Sequence, residues 1–120
     1  SFVGLVRDIH GGDTVSALTL DHYPGMTERE LEKIADEAGH RWKLDGIRIV
    51  HRFGRMEPGE RIVLVIALSA HRRDAFEACD FVMDFLKTRA PFWKREETQN
   101  GEKWVSAKAS DDADADRWKP

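Results

Sequence analysis

RIVLVIALSAHRRDAFEACDFVMDFLKTRAP, residues 61–91, sets a continuous apolar run directly before a segment with helical spacing. The run IVLVIAL, 62–68, is the longest apolar stretch in the chain. It falls far short of the roughly 20 residues needed to cross a bilayer, so it reads as a strand buried on both faces, the centre of a sheet. From about Arg72 to Arg89 the spacing changes to that of a helix, with Ala75, Phe76, Cys79, Val82, Met83 and Leu86 on one apolar stripe. Pro91 closes that helix, because the residue before a proline is disfavoured in the helical region.

Downstream, Phe92 to Thr98 and Glu102 to Val105 read as two short strands around Gln99-Asn100-Gly101, where Asn-Gly favours a hairpin turn. Upstream, IRIVHRFG, 47–54, alternates Ile47, Ile49 and His51 against Arg48, Val50 and Arg52, a strand with one apolar face. MEPGE, 56–60, is the turn between it and the central strand. An earlier helix carries Leu31, Ile34, Ala35, Ala38 and Trp42 and ends near Lys43, with Thr27 and Glu30 forming a capping box at its head. FVGLVRD, 2–8, and VSALTLDHY, 15–23, read as two strands of a hairpin with a long loop. The order is strand, strand, helix, strand, strand, helix, strand, strand. This predicts an α+β fold with two helices packed on a largely antiparallel sheet.

At 120 residues the chain can bury one sizeable core, and one domain is expected over 1–108. The terminal SDDADADRWKP alternates four Asp with small residues and reads as an acidic, flexible tail over 109–120. A composition of 41% hydrophobic and 34% charged residues is that of a soluble globular protein. The net charge of −3 weighs against a nucleic-acid partner, and no segment calls for a membrane. Cys79 is the single cysteine, so no internal disulfide or thiolate zinc site can form, and a reducing, cytoplasmic compartment is expected. The chain opens without Met, on residues that read like the inside of a strand, so the natural chain is expected to start earlier.

Chemistry-bearing residues collect at element ends. SAHR, 69–72, marks a strand-to-helix junction, where free backbone N–H groups and the helix dipole favour an anion. His71 and Arg72 add a proton donor and a fork-shaped cation there, unless Ser69 or His71 merely caps the helix and Arg72 meets solvent. Lys87, in the last helical turn, lies at the border of the apolar stripe. It either pairs with Asp84, complements the helix C-terminus, or faces a ligand. Lys94 shares a strand face with Phe92 and Glu96, either as a cross-strand ion pair or as an amine whose pKa falls through burial. Arg7 ends the first strand. A site joining these cations would suit a small phosphorylated ligand or a partner's terminal carboxylate. The other histidines are scattered without metal-ligand spacing, and no metal site is expected.

The stretches FVGLVRD, ALTLDHYPGMTERELEKI, VHRFGRMEPGE, SAHRRDAFEACDFVMDFLKTRAPFWKRE and GEKWV closely resemble the MoaE family, the large subunits of molybdopterin synthase. The likeness covers residues 2 to about 108. It implies an α/β hammerhead fold and a homodimer with a small ubiquitin-like MoaD-type subunit at each end, a heterotetramer. It further implies a sulfurtransferase: sulfur passes from the thiocarboxylate on that partner's C-terminal Gly-Gly tail to cyclic pyranopterin monophosphate, making the dithiolene of molybdopterin. No permanently bound cofactor is implied. Carried over by position, the substrate pocket falls on Leu5, Val6, Arg7, His71, Arg72, Lys87, Lys94, Arg95 and Glu96, with Phe2 and Met83 on its walls. Lys87 and Lys94 would be the catalytic pair, Lys87 nearest the incoming tail as oxyanion stabiliser and Lys94 as acid, base or second clamp. Family members begin some thirty residues earlier. Two other readings remain open on the residues alone: a scaffold that binds a ubiquitin-like tail without chemistry, and a module stacking on single-stranded nucleic acid.

Overall fold

The computed structural model describes residues 1–10, 12–105 and 109–119, with backbone alone at 109 and 110. The fold is α+β, with helices packed on antiparallel sheets. Among the described residues, eight strands and three helices follow in the order β1 (Phe2–Leu5), β2 (Ile9–His10), β3 (Asp13–His22), α1 (Met26–Arg41), β4 (Gly46–His51), β5 (Gly54–Met56), β6 (Arg61–Leu68), α2 (Arg72–Arg89), β7 (Phe92–Thr98), β8 (Gly101–Val105) and α3 (Ala109–Asp116). No helix among the described residues is long and apolar enough to cross a membrane.

The expected central strand is central: β6 runs between β1 and β4 in a three-stranded antiparallel sheet. Its burial alternates, with Val63, Val65 and Ala67 buried and the residues between them partly covered. The two-sided burial expected of IVLVIAL is therefore incomplete, because the helices cover only one face of this sheet. Those three side chains meet Ala78, Cys79, Val82 and Leu86 of α2 in the main core.

The hairpin expected between the first two strands does not form as such. β1 pairs with β6, Phe2 opposite Val65 and Gly4 opposite Val63, and only the two-residue β2 folds back on β3. A strand as apolar as β6 needs hydrogen-bond partners on both edges, and β1 supplies the second. Gly4 permits the close approach, since a Cβ there would lie 2.8 Å from Val63 Cγ1. β3 instead belongs to a second sheet, ordered β2-β3-β7-β8, with β5 following β2 along the edge of β3 away from β7. The hairpin between β7 and β8 forms at the expected turn, with Thr98 opposite Gly101 and Gly101 at φ +99°.

The capping box of α1 forms two residues ahead of the expected one, at Gly25 and Glu28. The Gly25 N–H donates to the Glu28 carboxylate at 2.6 Å. Thr27 is buried and bridges outward, accepting from the Tyr23 N–H and donating to the Pro91 carbonyl. It ties the head of α1 to the end of α2. Arg89 does the same from the other side, with bonds of 2.7 Å to Glu30 and 2.6 Å to Glu37.

The larger departure is at the C-terminus. The tail expected to be flexible folds as α3, and the residues after it dock on α2. Trp118 packs edge-on against Phe81 and Trp42, and its indole N–H donates to Asp84 at 2.7 Å. Arg117 bonds the same carboxylate and Asp80, at 2.7 Å each. The acidic run masked an amphipathic end: Arg117 and Trp118 bring one guanidinium and one ring to a buried carboxylate. Hence α2 is covered on two sides. Phe81 is 1% exposed, whereas Phe76, expected on the stripe, is 63% exposed. Trp118→Ala is expected to cost about 2 kcal/mol, below the loss for a fully buried aromatic, and to speed amide exchange across α3; unchanged protection there would refute the docking.

Candidate active site

β1 and the segment after it, the last turns of α2, and one face of β7 enclose a cavity of about 690 Å³. That volume suits a small organic ligand. The two sheets meet around it, so its apolar wall comes from both: Phe2 and Leu5 from the first, Phe92 from the second, Val6 from the segment after β1, and Met83 from α2.

Alternation along β7 sends Phe92, Lys94 and Glu96 to the cavity side, as expected. Lys94 sits between Leu20 of β3 and Val105 of β8 in register, and its side chain is half-buried. Burial lowers its pKa from the ordinary 10.5, Asp111 opposes the fall, Lys87 and Arg7 add to it, and Glu96 opposes it. Three cations therefore surround one space, and like charge together with poor hydration makes the Lys94 ammonium easier to deprotonate. Lys87 enters from α2 with its side chain half exposed and pairs with Asp111 Oδ1 at 3.7 Å. Its sequence-level alternative partner, Asp84, is taken by Arg117 and Trp118. Glu96 is 7% exposed and meets His10 Nδ1 at 2.5 Å. β2 thus holds the carboxylate at the cavity floor.

Three of the expected residues lie elsewhere. Arg95 points to the opposite face of β7, over the Trp104 ring at 5.8 Å and 3.8 Å from Glu102. His71 and Arg72 are exposed at the head of α2, where the His71 N–H donates to Ser69 Oγ. Fifteen helical residues separate Arg72 from Lys87, roughly 22 Å at the α-helical rise. One copy of the chain does not bring them to the lysines.

Two titratable cavity residues were missed by sequence reasoning. His51 ends β4 and lines the cavity; its place on the apolar face with Ile47 and Ile49 was a usable signal. Asp111 reaches the cavity from α3, and nothing in an acidic run marks which carboxylate turns inward. Among the described residues no group of three or more His, Cys, Asp or Glu is arranged to hold a metal ion.

The geometry permits anion binding between Arg7, Lys87 and Lys94, and proton transfer at Lys94 nearer neutrality than an ordinary lysine allows. Titration of the Lys94 side chain by NMR is expected to show a midpoint below 10.5. Any function needing its ammonium is lost as pH rises through that value. Since the unfolded chain then binds the proton more tightly, this group's contribution to stability rises with pH between the folded value and 10.5. A midpoint at or above 10.5 would contradict the burial described.

The MoaE protein family's sequence model matches residues 1–89. Over 117 residues the chain is 60% identical to the molybdopterin synthase catalytic subunit of Pseudomonas aeruginosa, covering 98% of this chain and 78% of that protein. Among solved structures, the molybdopterin biosynthesis MoaE protein of Burkholderia ambifaria superposes with a TM-score of 0.78 at 57% identity, covering 98% of this chain and 76% of that one. A complex of subunits 1 and 2 of molybdopterin-converting factor from Helicobacter pylori superposes with a TM-score of 0.68 at 25% identity, covering 90% of this chain and 69% of that one. With the match running through both sheets and into α2, which ends at the cavity, the chain belongs to the MoaE family.

Proposed function

We propose that this chain is the sulfur-transferring large subunit of a molybdopterin synthase, acting on cyclic pyranopterin monophosphate with a small subunit's C-terminal thiocarboxylate as sulfur donor. The observation that carries the reading is the convergence of Lys87, Lys94 and Arg7 on one apolar-walled cavity. Both reactants are anions, and a poorly hydrated cavity with fixed cations binds them more strongly than water-exposed lysines can. Arg7 suits the cyclic phosphate through its forked donors. Lys87, half exposed at the mouth, meets the partner's tail and holds the oxyanion formed at its carbonyl. Lys94, deeper and more easily deprotonated, serves as acid, base or second clamp.

The structure of the Helicobacter pylori complex pairs a related chain with a small subunit, which supports such a partner here. A homodimer reconciles the remaining residues. His71 and Arg72 cannot reach their own chain's cavity, but a second copy whose α2 head lies against the first can deliver them to the substrate phosphate. The chemistry and the single reduced cysteine fit the cytoplasm.

The test mixes the protein with thiocarboxylated small subunit and cyclic pyranopterin monophosphate and measures dithiolene product. Product is expected; a stable complex that yields none would overturn the reading in favour of a tail-binding scaffold.

A further inference from the structure

His51 is a titratable group in the cavity that the lysine pair leaves unused. Its ring stacks on Phe92, centroids 4.1 Å apart and planes at 26°. Its Nδ1 lies 2.9 Å from the Arg52 carbonyl oxygen. A carbonyl oxygen can only accept, so Nδ1 carries the proton of the neutral ring and Nε2 keeps its lone pair. The stack and the hydrogen bond fix the ring on the cavity wall in that tautomer. Burial is the main influence pushing the imidazole pKa below 6.5; the Arg52 carbonyl opposes it, and the Lys94 ammonium adds to the fall. The other charged groups lining the cavity are Arg7 after β1, Lys87 of α2, Glu96 of β7 and Asp111 of α3. Glu96 bonds His10 and Asp111 pairs with Lys87. At neutral pH the ring is therefore uncharged, oriented and basic at Nε2.

Sulfur transfer, on the reading above, needs such a group. Sulfur that joins the pterin while still bonded to the partner's acyl carbon forms a thioester. Its release is a hydrolysis: a water oxygen bonds to the acyl carbon, the carbon–sulfur bond breaks, and sulfur leaves with the bonding pair. The products are a carboxyl group on the tail and a thiol on the pterin. Water attacks an acyl carbon slowly unless a base takes its proton as the new bond forms. Where Lys87 and Lys94 hold the developing oxyanion as ammonium groups, a third group must take that proton.

We propose that His51 is the general base of this hydrolytic step, Nε2 accepting the water proton while the cavity's lysines hold the oxyanion. The inference rests on the sulfurtransferase reading.

Single-turnover reactions of wild type and His51→Gln, with thiocarboxylated small subunit and cyclic pyranopterin monophosphate, test it. The variant is expected to release product about 100-fold more slowly and to accumulate the acyl-linked adduct, visible by mass spectrometry. The wild-type rate is expected to rise with pH through a midpoint below the ordinary histidine value of about 6.5, and the variant to lack that limb. Wild-type release by the variant, a retained limb, or slowing without adduct would each overturn the proposal. If wild type itself forms the complex but neither adduct nor product, it is the sulfurtransferase reading that fails. Nitrogen NMR of the wild-type imidazole needs no variant to fold: the Nδ1–H tautomer is expected at pH 7, and an Nε2–H tautomer or an imidazolium would overturn the role.

Discussion

Lys87→Ala is expected to turn over at less than about one hundredth of the wild-type rate, the loss typical of removing one oxyanion donor, with the fold intact. The stability side follows from exposure. The Lys87 side chain is 51% exposed and its pair with Asp111 is 3.7 Å long, so the ion pair contributes at most about 1 kcal/mol. Its place near the C-terminus of α2 adds a few tenths more. Activity and stability should therefore separate: single-turnover assays show the loss, while the urea midpoint barely moves. A further sign is available at the neighbouring amine. The Lys87 ammonium is one of the charges lowering the Lys94 pKa, so removing it should raise the Lys94 midpoint. Wild-type turnover in the variant would sink the assigned role, and an unmoved Lys94 midpoint would show that the two amines do not share one cavity.

Phe81→Ala should give the largest loss of stability, about 3–5 kcal/mol. Phe81 is 1% exposed. Its ring meets Trp42 of the α1 end at 5.3 Å, Phe85 at 4.7 Å and Trp118 at 5.6 Å. The Arg41 guanidinium lies 5.0 Å over its face. One side chain thus joins α1, α2 and the docked C-terminus, and no neighbour can collapse into the space without giving up another ring. Against a total stability of about 5–15 kcal/mol, that loss is a large fraction. Urea unfolding with an unchanged slope and a lowered midpoint is the expected readout; a loss under about 1 kcal/mol would mean that the helices do not pack as described. Because α3 carries Asp111 to the cavity, the variant is also expected to disturb the electrostatics around Lys87 without touching it.

The position of His51 sharpens how the cavity divides labour. Lys87 and Lys94 supply charge from α2 and β7, whereas His51 comes from β4 in the other sheet. Neither sheet alone holds all three. The carboxylate at the floor, Glu96, is in turn held by His10 from β2. The junction between the sheets is therefore what assembles a cation pair beside a neutral base.

Local pattern made much of this readable. The apolar run of β6, the helical spacing of α2 with its stop at Pro91, the Asn-Gly hairpin and the alternation that sets Lys94 beside Glu96 depend on neighbours a few residues away. Periodicity and turn chemistry report such relations directly. The sequence by itself thus determined the α+β class, the bounds of α2 and β7, and the strand face that Lys94 shares with Phe92 and Glu96. Which edge β1 takes, whether the acidic run docks, and which carboxylate and histidine line the cavity depend on contacts between parts of the chain far apart in sequence, such as Phe2 with Val65, Asp84 with Trp118 and His51 with Phe92, to which a local pattern is blind. Arg117 and Trp118 read as tail until both are seen donating to the buried Asp84 carboxylate. His71 and Arg72 read as neighbours of Lys87 by resemblance, and the length of one rigid helix sets them apart. Only the tertiary structure decided these, because partner choice is settled by which surfaces remain to be covered once the local elements have formed.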